Sequence, residues 1–267
     1  MRSARDWGAE NWADVLPAVL GTKRPPVDLY AVARYRRVRH VAFRFMIPRG
    51  LMLPVEGGFE VYLRDPVRRD IDISKEEPGG ELSVRQRFSL AHELAHTRFF
   101  KLQEPTPFPD ETVPNMRELE ALCDQMAGCI LVPTYLLKKR INDYGKKIDS
   151  DFVRSVASEF RTSVDVALER LRVVEAASSF DRCILLAQRI QGDAEIRSLY
   201  FGLALSPLLP RPEKHRRITE WLPDFPRHAL TQGNERGSFV TRRGCTIAFT
   251  TVQLGASDRI LLELQAA

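Results

Sequence analysis

The chain has 267 residues, 44% of them apolar and 28% charged, and a net charge of +5. This is the composition of an ordinary globular protein, with enough material for one large domain or two to three small ones and no need of covalent staples. Cys123, Cys129, Cys183 and Cys245 are scattered without CxxC spacing, which excludes a disulfide framework and reads as reduced cysteines in a cytoplasmic protein. The first residues carry no apolar core of a signal peptide and no run approaches 18 apolar residues, so neither export nor a membrane partner is expected. The basic pI of about 9.1 permits nucleic-acid contact without requiring it.

In chain order, residues 28–74 read as a helix followed by strands. Asp28 suits the N-cap of a helix over 29–35. Residues 38–45, 51–55, 59–63 and 71–73 read as strands, with Gly57-Gly58 as the turn between the second and third. Ser83-Val84-Arg85-Gln86 is an S-x-x-Q capping box that opens the next helix. That helix contains His92-Glu93-Leu94-Ala95-His96, with Phe88, Ala91, Ala95 and Phe99 spaced along one face. A loop with Pro105, Pro107, Pro109 and Pro114 follows. Asn115, with Glu118 three residues on, marks a further helix start. Leu119, Leu122, Cys123, Met126 and Ile130 form its apolar stripe, and Pro133 ends it or begins a new segment.

Residues 134–175 are helical in pattern throughout. Ser150 or Asp151 opens a helix over 152–160, and Thr162 or Ser163 opens one over 164–174. From about residue 180 the texture changes to a separate α+β unit. Residues 183–190 and 196–203 form a hairpin turning at Gly192-Asp193, a Pro- and Arg-rich stretch covers 207–228, and strands over 244–253 and 259–265 flank Gly255. Three regions are expected: 1–135 with the HExxH helix and a small sheet, a helical segment over 136–178, and an α+β domain over 179–267.

His92 and His96 stand four residues apart, so a helix puts both imidazoles on one face, one turn apart, with the Glu93 carboxylate beside them. A catalytic zinc needs three protein ligands and an open position. A third His in HExxHxxGxxH spacing is excluded, because residues 99–102 are Phe-Phe-Lys-Leu. The remaining source is a downstream Glu. Glu120 is preferred to Glu118 because Asp124 follows it at i+4, where it could accept from the far N–H of a ligand His and fix its tautomer. Glu118 points about 200° away around the helix, so the two cannot face one metal. In this reading His92, His96 and Glu120 hold Zn²⁺ (or Mn²⁺ in assays), and Glu93 is the general base. His40, Tyr135 and His228 are candidates for stabilising the oxyanion.

Residues 151–174 have helix-turn-helix spacing. The start of its second helix is Val164-Asp165-Val166-Ala167, and an Asp there repels phosphate. Packing against protein is therefore preferred to DNA contact. Arg34, Arg36, Arg37 and Arg39 form one basic cluster, and Arg211, Lys214, His215, Arg216 and Arg217 another. Both read as solvated faces, with docking of an acidic segment or of a DNA-bound partner as the alternative.

The segment Arg87-Phe88-Ser89-Leu90-Ala91-His92-Glu93-Leu94-Ala95-His96 resembles the RFTLAHELGH segment of the ImmA/IrrE zinc metallopeptidases. Residues 120–133 resemble their E-x-x-A-N-x-F-A-A-x-L-L-M-P stretch, and residues 156–171 their LAxxFxVSxxAxxxRL stretch. Asp124 stands where that family has Asn, and Cys123 and Met126 replace Ala and Phe. The resemblance implies an α+β protein with a zincin-like metallopeptidase domain, a helix-turn-helix-like helical segment and a C-terminal sensor domain of GAF-like type, open to a small ligand or signal. It implies a cytoplasmic, site-specific endopeptidase that cleaves a helix-turn-helix repressor and derepresses stress-response or mobile-element genes. The competing reading is a DNA-associated regulator whose metal site is structural or vestigial.

Overall fold

The computed structural model describes residues 4–66, 69–71, 81–102, 105–109, 115–145, 148–174, 182–201, 209, 213–241, 244–256 and 258–266. Two compact units emerge: Met1–Leu136 with Glu159–Ser163, and Leu137–Ser158 with Val164–Ala267. The helical stretch expected over 136–178 is thus shared between them.

The first unit begins with α1 (Ala4–Val19), a helix the sequence reading did not identify. Ala9, Ala13 and Leu16 give it a buried stripe, although Pro17 lies in its last turn. Helix α2 (Leu29–Tyr35) is capped as expected, Asp28 accepting from the N–H groups of Tyr30 (2.9 Å) and Ala31 (3.1 Å). Four strands follow: β1 (Val38–Arg44), β2 (Gly50–Val55), β3 (Gly58–Arg64) and β4 (Arg69–Ile71). They form one sheet in the order β2-β3-β1-β4, with β1 parallel to β3 and the other pairs antiparallel. The short strand expected over 71–73 lies two residues earlier, and 72–73 fall outside the described residues. The turn at Gly57-Gly58 has a steric reason. Gly57 has φ +83, and a Cβ on Gly58 would run into the carbonyl oxygen of Arg37.

Helix α3 (Val84–His96) opens on the expected capping box: the Gln86 N–H donates to Ser83 Oγ (3.3 Å), and the Ser83 N–H to Gln86 Oε1 (3.0 Å). Its buried stripe is Leu90, Ala91, Leu94 and Ala95; Phe88, expected on it, is only half-buried. Ala91, Ala95 and Phe99 are buried as expected, and because α3 is covered on two sides, by the sheet and by α4, burial extends beyond that single stripe. A 3₁₀ turn (Thr97–Phe99) leads to the short pair β5 (Phe100–Lys101) and β6 (Phe108–Pro109). Helix α4 (Met116–Leu131) then starts at Asn115, whose side chain accepts from the Glu118 N–H at 3.1 Å. Leu119, Leu122, Cys123, Met126 and Ile130 are buried along it as expected, and both α1 and α3 pack against it.

Helix α5 (Thr134–Asp143) begins straight after Pro133. Helix α6 (Ser150–Glu159) follows, capped by Asp149 rather than by Ser150 or Asp151: its Oδ1 accepts from the Phe152 N–H at 2.8 Å. Helix α7 (Val164–Val174) starts directly after Ser163. The C-terminal sheet is built from β7 (Arg182–Ile190) and β8 (Asp193–Phe201), then, after helices α8 (Ile218–Trp221) and α9 (Arg227–Gln232), from β9 (Arg236–Val240), β10 (Thr246–Gln253) and β11 (Arg259–Ala266). It is antiparallel in the order β8-β7-β11-β10-β9. The hairpin turns at Gln191-Gly192, both at positive φ, one residue before the position expected. On one face of the sheet, Leu185, Ile247, Phe249, Ile260 and Leu262 enclose a core with Trp221, Phe225 and Leu230. Helix α7 packs along β8 within the same unit, where Asp165 pairs with Arg259 and Glu169 with Lys214 (3.7 Å).

Candidate metal centre

Two helices supply the site. The i, i+4 spacing of α3 sets His92 and His96 with their rings 4.9 Å apart. Glu120 on α4 meets both: its Oε2 lies 3.1 Å from His92 Nε2, and its Oε1 3.3 Å from His96 Nε2. The two Nε2 atoms are 3.1 Å apart. One turn along α4, Asp124 Oδ1 lies 2.8 Å from His92 Nδ1. That carboxylate selects the tautomer with its proton on Nδ1, which leaves the Nε2 lone pair facing Glu120 and His96. Glu118, by contrast, sits exposed in the first turn of α4.

Donor chemistry and spacing both suit a cation. Each of His92, His96 and Glu120 offers one ligand atom, all within 4.8 Å of one another. Donors bound at about 2.1 Å around a tetrahedral centre stand about 3.4 Å apart, close to the 3.1–3.3 Å found here. Two imidazoles and one carboxylate are a borderline-soft set suited to Zn²⁺ and able to take Mn²⁺.

Glu93 is 7% exposed, tucked under β2. Gly50 makes that possible, because a Cβ there would overlap Glu93 Oε1. The Met52 N–H, also on β2, donates to the Glu93 carboxylate. Burial raises the Glu93 pKa to about 7, assisted by the charge of Glu120 and opposed by His92 and the Met52 N–H. For His92 burial acts downward, but the Asp124 hydrogen bond and the charges of Glu93, Asp124 and Glu120 outweigh it, so its pKa rises. Burial and the neighbouring His92 lower that of His96.

Several arginines that sequence reading placed on a solvated face belong to the scaffold. Arg36 reaches the end of α3, donating to Thr97 Oγ1 (3.0 Å) and to the Thr97 carbonyl (2.9 Å). Burial lowers its pKa to about 10. Its charge complements the C-terminal end of the helix that carries both histidines. Arg37 donates to the carbonyls of Gly57 and Leu102, and Arg39 to that of Glu56. Arg87, at the head of α3, donates to the carbonyls of Val27 (2.9 Å) and Arg161 (3.2 Å). In the second cluster, His215 lies 3.0 Å from Glu195, and Arg211 is outside the described residues. Among the oxyanion candidates, the Tyr135 hydroxyl donates to the Thr22 carbonyl at 2.6 Å, His228 lies 3.5 Å from Glu235, and His40 lies on β1 opposite Glu60.

Residues 82–172 match the family model for the peptidase M78, IrrE N-terminal-like domain. That segment, about a third of the chain, is similar to the ImmA/IrrE family. The matched part runs from the residue before the Ser83 cap to the last turn of α7, and so contains His92, His96, Glu120 and Asp124. The matched segment is metallopeptidase-like. No curated protein matches the chain by sequence. A solved structure described as a Mycobacterium tuberculosis transcriptional regulator covers 98% of this chain and 78% of its own length, with a TM-score of 0.54 and 11% identity, a likeness of fold alone. Among the described residues, no helix is long and apolar enough to cross a membrane.

Proposed function

We propose that this protein is a zinc-dependent endopeptidase that cuts a folded regulator, a helix-turn-helix repressor, inside the cytoplasm, with Mn²⁺ able to replace zinc in assays. The observation that carries the reading is the convergence of Glu120 on His92 and His96, with Glu93 held beside them in an IrrE-like segment. In this reading His92, His96 and Glu120 hold the ion, and Asp124 orients His92. When bound, the ion lowers the pKa of a coordinated water toward about 7 and polarises the scissile carbonyl. Glu93 takes the proton of the attacking water and delivers it to the departing amine. Its pKa near 7 suits a group that must both accept and give up a proton near neutrality. Strand β2 is an edge strand of its sheet. Since the Met52 N–H turns to Glu93, the main-chain groups of Gly50, Met52 and Pro54 face off the sheet. An extended substrate would add there, donating its N–H groups to the carbonyls of Gly50 and Met52.

The test is incubation of the chain, with Zn²⁺ or Mn²⁺, against a small helix-turn-helix repressor encoded beside it. Cleavage is expected from wild type and not from Glu93→Gln, which should still bind metal. Equal cleavage by both would overturn the mechanism. The rival reading, a DNA-associated regulator with a structural metal, draws on the solved structure described as a transcriptional regulator and on the basic pI. It requires salt-dependent DNA binding that Glu93→Gln leaves unchanged, and no gel retardation at low salt would eliminate it. The C-terminal unit, an antiparallel sheet with two helices between its second and third strands, is compatible with a GAF-like sensor of a small signal.

A further inference from the structure

A cavity of about 260 Å³ lies within the C-terminal unit, between the first turn of α6 and one face of the sheet. Strand register fixes its floor. Glu263, Thr250 and Arg236 follow one another across β11, β10 and β9, and Gln265 and Ala248 lie in the next row. With strands about 4.8 Å apart, Glu263 and Arg236 bound a floor about 10 Å long. Asp149 and Asp151 of the α6 turn line the opposite wall.

At the inner end the charged groups already have partners within the protein. Glu263 is 7% exposed, and its carboxylate is shared by the Arg182 guanidinium and the Ser150 N–H (2.9 Å). Asp149 is engaged in capping α6. The outer charges lining the cavity are Arg236 and Asp151, of opposite sign and both exposed; Asp151 also lies 3.5 Å from Arg154 one turn along α6, an exposed pair that leaves its second oxygen for a ligand. The other face of the sheet is filled by Trp221, Phe225 and their apolar neighbours.

We propose that this cavity binds a small zwitterion of the free amino acid class, its carboxylate on Arg236 and its ammonium on Asp151. A ligand bearing only negative charge would gain Arg236 but meet the carboxylate of Asp151, and one bearing only positive charge would gain Asp151 but meet the guanidinium of Arg236. A molecule carrying both signs is matched at both places. A space of about 260 Å³ has room for one free amino acid and is small for a larger metabolite. Thr250 and Gln265 offer hydrogen bonds along the floor, and Ala248 a small apolar step. The cavity is distinct from the metal centre, and its occupancy can be tested without any substrate.

The full chain is titrated calorimetrically with each common free amino acid, and with inorganic phosphate and methylammonium as single-charge probes. One amino acid, or a small related group, is expected to bind. Its affinity should fall about tenfold or more in Arg236→Met and in Asp151→Asn, both at exposed positions whose loss leaves the fold intact. The proposal is overturned if no amino acid binds wild type, if the affinity survives both substitutions, or if phosphate or methylammonium alone binds as tightly.

Discussion

At the scale of single residues, Glu93 and Asp124 act in opposite directions. Glu93 is a carboxyl group kept out of water, with its folded pKa raised from 4.5 to about 7. A group raised in this way contributes stability that is fully present below pH 4.5 and is lost as pH climbs through about 7. In the metal-free protein Glu93→Gln should therefore be more stable than wild type at high pH, by about 3 kcal/mol at most, with the advantage shrinking as pH falls toward 4.5. Urea midpoints of the two proteins in chelator, at about pH 5 and about pH 8, test this; a gap that does not change with pH would sink it. Asp124 instead supports the ligand set from behind His92. Asp124→Ala should weaken zinc binding about 10- to 100-fold. Asp124→Asn, which keeps an acceptor oxygen, should stay within a few-fold of wild type. Zinc titration separates the two, and equal losses would mean that charge rather than orientation is what Asp124 supplies.

At the scale of elements, β2 and α3 are set against each other by a residue with no side chain. Gly50 has an ordinary backbone conformation, so its requirement is purely the space that Glu93 occupies. Gly50→Ala should cost about 1–3 kcal/mol in the wild-type background by forcing the carboxylate aside, and close to nothing when Glu93 is also Ala. A double-mutant cycle in denaturant reads this coupling; simple additivity would show that β2 and Glu93 do not touch. The same contact marks where sequence ceased to be legible. Asp28, Ser83 and Asn115 were readable because a cap acts within three residues of itself, and Glu120 with Asp124 because i+4 spacing already places two carboxylates on one face. The helix α1 was not, since Pro17 and its small residues mute the periodicity that burial of Ala9, Ala13 and Leu16 reveals. Gly50 over Glu93 and Arg36 on Thr97 join residues 43 and 61 positions apart, and no local pattern encodes such a pairing. Arg36 looked like one more charge in a basic run, and only its buried bonds distinguish it from Arg34.

At the scale of the whole molecule, the two units are interleaved along the chain. Residues 159–163 belong with the first unit, yet they lie between α6 and α7, which belong with the second. No single cut separates the units, and a chain ending at about residue 178 would leave the buried faces of α6 and α7 without their sheet. The interleaving also predicts shared unfolding. When the C-terminal unit unfolds, α6 and α7 lose their order on both sides of 159–163, and that segment, with Arg161 under the Arg87 side chain of α3, must hold against two unfolded arms. A ligand of the first unit alone should therefore stabilise the second. Zinc at about 100 times its dissociation constant stabilises the state that binds it by about 2.7 kcal/mol. Trp221, buried in the C-terminal core, is the natural reporter once Trp7 and Trp12 are replaced by Phe. Its denaturation midpoint should rise with zinc, and that rise should vanish in His96→Ala. A Trp221 transition that ignores zinc, while helical signal from the first unit responds, would mean that the units unfold independently despite the shared chain.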